Sequence, residues 1–529
     1  MYEPNKKEAL DYHSRGRKGK IEVLPTKPYS SQRDLSLAYS PGVADPCLAI
    51  AENPEDVYKY TAKGNLVAVI SNGTAVLGLG NIGPEAGKPV MEGKGVLFKV
   101  FADIDVFDIE VDAIDVDLFV STVKAIAPTF GGINLEDIKA PEAFEIERRL
   151  KEELDIPVMH DDQHGTAIIS SAALLNALEL TSRDIKDTRI VVSGAGAAAM
   201  SCLDLYMQLG LTLENITVFD SSGHVHVGRK DLGERKKLFA SKKKYESLSE
   251  AMKGADVFLG LSKGGLVNGD MIKGMAENPI VFALANPDPE ISYLEAVEAR
   301  HDLIMATGRS DNPNQVNNVL GFPFIFRGAL DVRATSINDE MKLAAVRAIA
   351  KLAKETVPDE VSVAYDEKSL VFGRDLIIPK PLDPRLITAI APAVAKAAMD
   401  SGVAKEPISD WAEYERNLLS RLGQATSFSR SISERASKNP KRVVFAEAEH
   451  YKVLKAAEQA VQEGIAHPIL IGREEKIDKL ISENNLALSS ATIIDPRSSD
   501  EKERRQRFGI ILHEKRMRHG LTAIEAERA

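Results

Sequence analysis

Cysteine is nearly missing from this chain, with only Cys47 and Cys202 among 529 residues. Two thiols build neither a disulfide framework nor a thiolate metal site, and they suit a reducing, cytoplasmic setting. No apolar run reaches the ~18 residues that a bilayer span needs, so no membrane partner is expected. The opening segment MYEPNKKEALDYHSRGRKGK also lacks the apolar core of a signal peptide. Positive charge is in deficit: Lys+Arg number 67 against Asp+Glu 78, a formal net charge of -11, which disfavours nucleic acid as a partner. The remainder, 44% hydrophobic and 27% charged, describes an ordinary globular chain long enough for two to four domains.

The organisation expected is α/β throughout. Residues 1 to about 185 open with a polar, helix-permissive arm and continue as alternating strands and helices, with strands expected at Leu66–Leu79, Gly95–Phe101 and Val106–Val111 and a helix at Leu118–Ala127. The closely spaced acids of ADIDVFDIEVDAIDVD read as loop edges and a solvated sheet face. From Asp187 the segments IVVSGAG, ITVFD, DVFLGLS, IVFALAN and LIMATGR are short apolar strands with crossovers between them. They predict a Rossmann-like, doubly wound parallel sheet that binds its ligand at the carboxyl ends of the strands. Helices follow, at MKLAAVRAIAKLAKETV, RLITAIAPAVAKAAMDSGV and DWAEYERNLLSRL. A polar linker is expected over Ser427–Pro440, and a partial α/β domain after it, beginning KRVVFAEAEHYK. The domain limits are therefore placed at 1–162, 163–426 and 427–529.

The most informative stretch is Pro157–Leu180, PVMHDDQHGTAIISSAALLNALEL. An apolar strand ends there on Asp161, Asp162 and Gln163, and a long helix opens. Upstream, GGINLED ends on Glu136 and Asp137 in the same way. Acidic pairs on loops are usually solvated surface. Carboxylates delivered from two strand ends can instead enclose one hard cation, Mg²⁺ or Mn²⁺, with positions left for a chelating substrate.

VVSGAGAAA carries the turn of a dinucleotide site at Gly194, Ala195 and Gly196, followed by Ala197, Ala198 and, at the third small position, Ala199. Missing side chains there let backbone N–H groups and a helix N-terminus meet a pyrophosphate. ITVFD then sets Asp220 at the next strand end. Asp220 would accept from a ribose 2′-OH and favours NAD, whereas His224, His226, Arg229 and Lys230 could meet the 2′-phosphate of NADP. Oxidising a hydroxy acid also needs a base and an acid. Lys94, in a turn-like MEGKGV, is the candidate base, with burial and a nearby cation expected to lower its pKa. Tyr39, before a Pro-Gly turn, is the candidate acid.

LSLAYSPGVA, MEGKGVLFK, INLEDI, HDDQHGTAII, VVSGAGAAA, FALANPDPE and ATGRSDNPNQVNNVLGFP occur in this order. Together, over roughly residues 10 to 425, they resemble the bacterial malic enzymes that decarboxylate malate oxidatively. The resemblance implies Tyr39 as general acid, Lys94 as general base and Glu136, Asp137 and Asp162 as metal ligands, with Asp161 beside them. It implies Asn286 and Asn318 as contacts to malate, with Asn318 and Asp288 also on the cofactor. One departure is visible: where larger members of the family are expected to place a carboxylate-gripping arginine before the LGLG turn, this chain has Thr74 and Ala75. The distal malate carboxylate would then fall to backbone N–H groups around Ser71–Gly73, or to Asn286 and Asn318.

RVVFAEAEHYKVLKAAEQAVQEGIAHPILIGREEKI is similar to the opening of phosphotransacetylases, and the subfamily with such an appended domain is usually NADP-dependent. The expectation is therefore NADP-dependent decarboxylation of malate to pyruvate by a homo-oligomer, dimer or higher, with an acyl-CoA effector at the C-terminal segment. The alternatives are an NAD-preferring malic enzyme, an acyl-CoA or acyl-phosphate transferase built on the last segment, and a non-catalytic nucleotide-binding regulator.

Overall fold

The computed structural model describes residues 6–77, 79–367, 370–421, 436, 439–462, 464–484 and 486–528. The chain divides into two compact units, 1–355 with 359–422 and 423–529 with 356–358. Most of the expected Ser427–Pro440 linker lies outside the described residues.

The first unit contains two sheets. In the four-stranded one, β1 (Leu66–Ser71), β2 (Asp105–Glu110), β3 (Gly132–Leu135) and β4 (Val158–His160) run parallel in the order β2-β1-β3-β4. Every residue of β1 is buried, as a central parallel strand covered on both faces must be. Its side chains divide with period two: Val67 and Val69 join the core under the Pro84–Ala102 helix, while Leu66, Ala68 and Ile70 face the Val116–Ile126 and Glu142–Glu153 helices. Because β3 and β4 are neighbours, with Leu135 opposite His160, the residues just beyond both strands emerge side by side.

The six-stranded sheet has the order β10-β9-β8-β5-β6-β7. It is built from β5 (Ile190–Ser193), β6 (Ile216–Asp220), β7 (Gly223–His224), β8 (Val257–Gly260), β9 (Ile280–Ala283) and β10 (Ile304–Thr307). All pairs are parallel except the short edge hairpin of β6 with β7. This is the doubly wound sheet expected from the apolar segments, and sequence order reverses on either side of β5. One continuous core joins this sheet to the Pro84–Ala102 helix and to the helices Asp339–Leu352, Leu386–Asp400 and Trp411–Ser420.

Two expected strands are corrected. Gly95–Phe101 is not a strand; it lies inside the helix Pro84–Ala102, whose buried residues Gly87, Met91, Lys94, Gly95, Phe98 and Ala102 recur at helical spacing. Gly95 lets that helix lie close on the sheet, since a Cβ there would stand 3.3 Å from the Val106 side chain. The strand expected to reach Leu79 stops at Ser71. The chain turns at Gly73, whose φ is +66° and where any Cβ would strike the Gly83 carbonyl at 2.1 Å.

Helices Lys6–Ser14, Gln32–Ala38 and Ala44–Glu52 bury no residue, and Leu10, Tyr12, Leu35, Leu37 and Leu48 stand exposed near them. The second unit is a parallel sheet of β11 (Lys441–Phe445), β12 (Ala466–Ile471) and β13 (Thr492–Ile494), with its own small core. β13 was not foreseen, being a three-residue strand in a polar stretch. Among the described residues no helix is long and apolar enough to cross a membrane.

The helices Phe322–Asp331 and Leu386–Asp400 cross at Gly328, where a Cβ would meet the Ala391 carbonyl at 2.5 Å. Gly328→Ala is expected to cost about 1–3 kcal/mol by overpacking, read as a lower thermal unfolding midpoint. An unchanged midpoint would mean that the two helices separate freely.

Candidate functional site

β3 and β4 deliver the carboxylates. Glu136 and Asp137 follow β3 directly, and Asp161 and Asp162 open the Asp161–Leu180 helix directly after β4. Lys94 arrives from the Pro84–Ala102 helix and is 9% exposed. Its Nζ stands 2.6 Å from Asp161 Oδ2 and 2.8 Å from Glu136 Oε1, and 4.1 Å from the centroid of the Phe322 ring. Burial alone would favour the neutral amine, but Asp161, Glu136 and Asp162 outweigh it and raise the Lys94 pKa above the ordinary lysine value. This corrects two expectations: Lys94 is on a helix and not in a turn, and its neighbours keep it protonated.

The carboxylates carry the opposite strain. Burial, with Asp162 and Asp161 adding to it against Lys94, pushes Glu136 up to about 8. Burial and Glu136 push Asp137 up to about 7, and burial and Asp137 do the same to Asp162. Asp162 Oδ2 accepts the Asp137 backbone N–H at 2.8 Å, and Asn134 Nδ2 donates to Glu136 Oε2 at 2.8 Å. Asp137 Oδ2 is buried with no hydrogen-bond partner, and Asp137 sits at φ +54°, an unusual conformation for a side chain to hold.

In donor chemistry, though not in spacing, this set suits a hard divalent cation. The ligand atoms are all oxygens, one is orphaned, and their mutual repulsion is what positive charge would relieve. Among the described residues no three His, Cys, Asp or Glu side chains are gathered closely enough to hold an ion; the Lys94 ammonium engages Glu136 and Asp161 instead.

Asn318 joins this group from the other sheet. Its Nδ2 donates to Asp161 Oδ2 at 3.2 Å, and Thr166 Oγ1 donates to its Oδ1 at 3.2 Å. Three other candidates lie apart. Tyr39 is 78% exposed and has no described contact with the carboxylates. Asn286 and Asp288 are exposed beyond β9, Asn286 near Gly308 and Asp288 beside Gly264. Of the backbone N–H groups around Ser71–Gly73, that of Gly73 is already taken by Ser71 Oγ at 3.0 Å, and Thr74 Oγ1 donates to Asn72 Oδ1 at 2.7 Å. Gly73 is therefore not free to grip a carboxylate.

β5 runs into the small-residue turn. Gly194 has φ +112°, and a Cβ there would lie 2.4 Å from the Leu261 carbonyl, so no other residue fits. Gly196 precedes the Ala197–Gln208 helix and meets nothing within 4 Å of a built Cβ. The backbone there is open to a pyrophosphate, flanked by half-buried Ala195, Ala197 and Ala198.

The two opposed signals at β6 form one cluster. Asp220 is paired with Arg229 at 2.7 Å and Lys236 at 2.7 Å, and it accepts the Ser222 N–H at 2.9 Å. Against the effect of burial, these partners hold it below the ordinary carboxylate value. His224 is pushed down to about 4 by burial, then by His226 and Arg229, so its ring is neutral and offers no charge to a phosphate.

Several site residues gave no sequence signal. Lys236 lies in a run of surface charge. Glu290, fully buried, accepts the Ser262 and Ala285 N–H groups at 2.9 and 3.1 Å and so fixes the tips of β8 and β9. It is the last residue of the FALANPDPE segment, where only its burial singles it out.

A lysine and acids gathered at the tips of one parallel sheet, beside a second sheet with a dinucleotide turn, define a two-domain, nucleotide-dependent acid–base enzyme. The chain belongs to the malic enzyme family: "Malic enzyme, N-terminal domain" matches residues 18–151 and "Malic enzyme, NAD binding domain" matches 163–366. "Phosphate acetyl/butaryl transferase" matches 427–529. An NADP-dependent malic enzyme of Salmonella typhimurium is 54% identical over all of this chain, which spans 70% of that protein. An NAD-dependent malic enzyme of Rhizobium meliloti is 57% identical over 89% of this chain, spanning 61% of that protein. A crystal structure of malic enzyme from Pyrococcus horikoshii superposes with a TM-score of 0.73 at 42% identity, covering 81% of this chain and 98% of that one.

The carboxylate pKa values set a sign for pH and metal. Glu136, Asp137 and Asp162 keep protons in the fold at pH values where the unfolded chain, with ordinary values of 4.5 and 3.8, has lost them. Their stabilising contribution is therefore present at low pH and lost as pH rises to about 7–8. Were Mn²⁺ held by these carboxylates it would take their ionised forms, and the rise in unfolding midpoint on adding Mn²⁺ over EDTA would then grow from about pH 5 to about pH 8. Taking this difference cancels the contrary trend of His160 and His164, which burial pushes down to about 4 and which remove stability as pH falls below about 6.5. A Mn²⁺ effect equal at both pH values would contradict the assignment.

Proposed function

We propose that this chain oxidises L-malate to pyruvate and CO₂ in the cytoplasm with reduction of NADP, using Mg²⁺ or Mn²⁺ at Glu136, Asp137 and Asp162. The observation that carries the reading is the buried Lys94 ammonium enclosed by Glu136 and Asp161 and reached by Asn318 from the dinucleotide-binding side. Residues 1–162 supply the acid–base and cation groups, and 163–426 supply the dinucleotide turn at Gly194, Ala195, Gly196, Ala197 and Ala198, with Asp220, Asp288 and Asn318. Asn286 and Asn318 contact malate.

Lys94 Nζ takes the proton of the C2 hydroxyl. When bound, the dinucleotide accepts the C2 hydride, and the cation draws electron density toward the C2 oxygen. The C3–C4 bond then breaks, CO₂ departs, and its electron pair delocalises from C3 through C2 toward the C2 oxygen until Tyr39 gives C3 the phenolic proton. Lys94 must be neutral to begin. Two units of positive charge among Glu136, Asp137 and Asp162 would offset the share of the field that Glu136 and Asp162 supply and so lower the Lys94 pKa, with Asp161 left as its partner. Tyr39 lies in the exposed N-terminal segment, and a homo-oligomer, in which another copy covers that segment, is the arrangement that gives its hydroxyl a place in chemistry.

NADP is favoured over NAD by Arg229 and Lys236, two cations at the tip of β6; Asp220, if released from them, would favour NAD. In the C-terminal unit the place proposed for an acyl-CoA effector is a cavity of about 320 Å³ lined by Arg473 and Arg497 together with the acids Glu447, Glu449 and Asp495, Arg473 being paired with Glu449.

NADPH formation from L-malate with Mn²⁺ tests the reading, and EDTA should abolish it. Persistence of the rate in excess EDTA would refute the cation assignment. Lys94→Ala should lower kcat by at least about 10²-fold and leave NADP affinity nearly unchanged in a calorimetric titration. Near-normal turnover in that variant would remove Lys94 as the base. Tyr39→Phe should lower kcat with little effect on NADP binding, and an unaltered kcat would assign the acid elsewhere.

A further inference from the structure

The Asp161–Leu180 helix has no side-chain cap of its own, since His160 at its N-cap position makes no capping hydrogen bond. A neighbouring helix supplies the acceptor. Glu147, 6% exposed on the Glu142–Glu153 helix, accepts the His160 backbone N–H at 2.9 Å and stands 3.0 Å from His164 Nε2 and 2.8 Å from Lys151 Nζ. His160 and His164 are one helical turn apart and bracket Asp161 and Asp162. At 100° per residue His164 points away from Asp162 and lies about 60° from Asp161, so Glu147 grips the turn on the side opposite Asp162.

We infer that Glu147 is a positioning residue for the cation site, fixing the helical turn that carries Asp161 and Asp162 through the His160 backbone and the His164 ring. The inference rests on the cation site proposed above. Partners that orient metal ligands commonly alter affinity by about 10–100-fold when removed, and the same is expected here even though Glu147 touches the backbone and His164 and not the ligands themselves. Lys151 satisfies the charge of Glu147, so the carboxylate is held on both sides and its position is set by the two histidine contacts. Glu147 and His164 also line a cavity of about 560 Å³, together with Gln163, Asp339 and Lys342. A small carboxylate can therefore reach the gap that truncation of Glu147 would leave.

The test is titration of Mn²⁺ followed by electron paramagnetic resonance, with NADP affinity measured on the same samples by calorimetry. Glu147→Ala is expected to raise the Mn²⁺ Kd by about 10–100-fold while the NADP Kd stays within about twofold, and added formate should recover part of the lost Mn²⁺ affinity. Glu147→Gln keeps the size and one acceptor, and should show a smaller loss of about 3–10-fold; it carries the test if the alanine variant does not fold. Mn²⁺ affinity within about twofold of the parent in the variants that fold would overturn the inference. So would equal losses of Mn²⁺ and NADP affinity, or a Mn²⁺ loss in Glu147→Ala that formate leaves untouched. Failure of the parent protein to bind Mn²⁺ would instead remove the proposed cation site.

Discussion

A single buried charge organises this molecule. The ammonium of Lys94 cannot stay inside the protein unless its charge is matched, because an unpaired buried ion costs several kcal/mol. Glu136, at the tip of β3, and Asp161, at the head of the helix after β4, match it at 2.8 and 2.6 Å. Asn318, from beyond the second sheet, fixes Asp161 in turn. The pairing ties together three segments of the first sheet and one of the second. It also leaves more carboxylate than one ammonium can neutralise, and burial together with that repulsion makes Glu136, Asp137 and Asp162 hold protons more tightly than usual. The excess of negative charge is the physical basis for placing a divalent cation there.

The dinucleotide half depends on a different constraint, the absence of side chains. Gly194 packs against the Leu261 carbonyl too closely for any Cβ, and Gly196 leaves open space where backbone would face a ligand. The turn lies at the tip of β5, where the strand order reverses, which is the place at which this architecture binds nucleotides. Membership in the malic enzyme family agrees with both halves, since its N-terminal and NAD binding domains match the segments that carry them.

Much of this could be read from residues because the signals are local. Buried parallel strands are short apolar runs, so β5, β6, β8, β9 and β10 were visible, and Glu136, Asp137 and Asp162 were visible as acids at strand tips. Other features depend on tertiary neighbours. Lys94 sits between Gly93 and Gly95, which read as a turn. Packing on β2 explains why Gly95 lies inside a helix. The raised pKa of Lys94 follows from carboxylates that are distant in sequence, and the direction expected from a nearby cation was the reverse of what the carboxylates impose. Asp220 read as a free ribose acceptor because its partners Arg229 and Lys236 are scattered among other surface charges. Glu147 belongs to EIERRLKEE, where nothing distinguishes it from the exposed glutamates around it.

The central claim is that oxygens from two neighbouring strand tips share one dication beside Lys94. Anomalous scattering from a crystal grown with Mn²⁺ and NADP locates that ion directly. The account requires one strong peak bounded by Glu136, Asp137 and Asp162 at roughly 2.0–2.3 Å from their carboxylate oxygens, with Lys94 no longer paired to Glu136. A peak elsewhere, or none while Lys94 keeps both of its present partners, would contradict it.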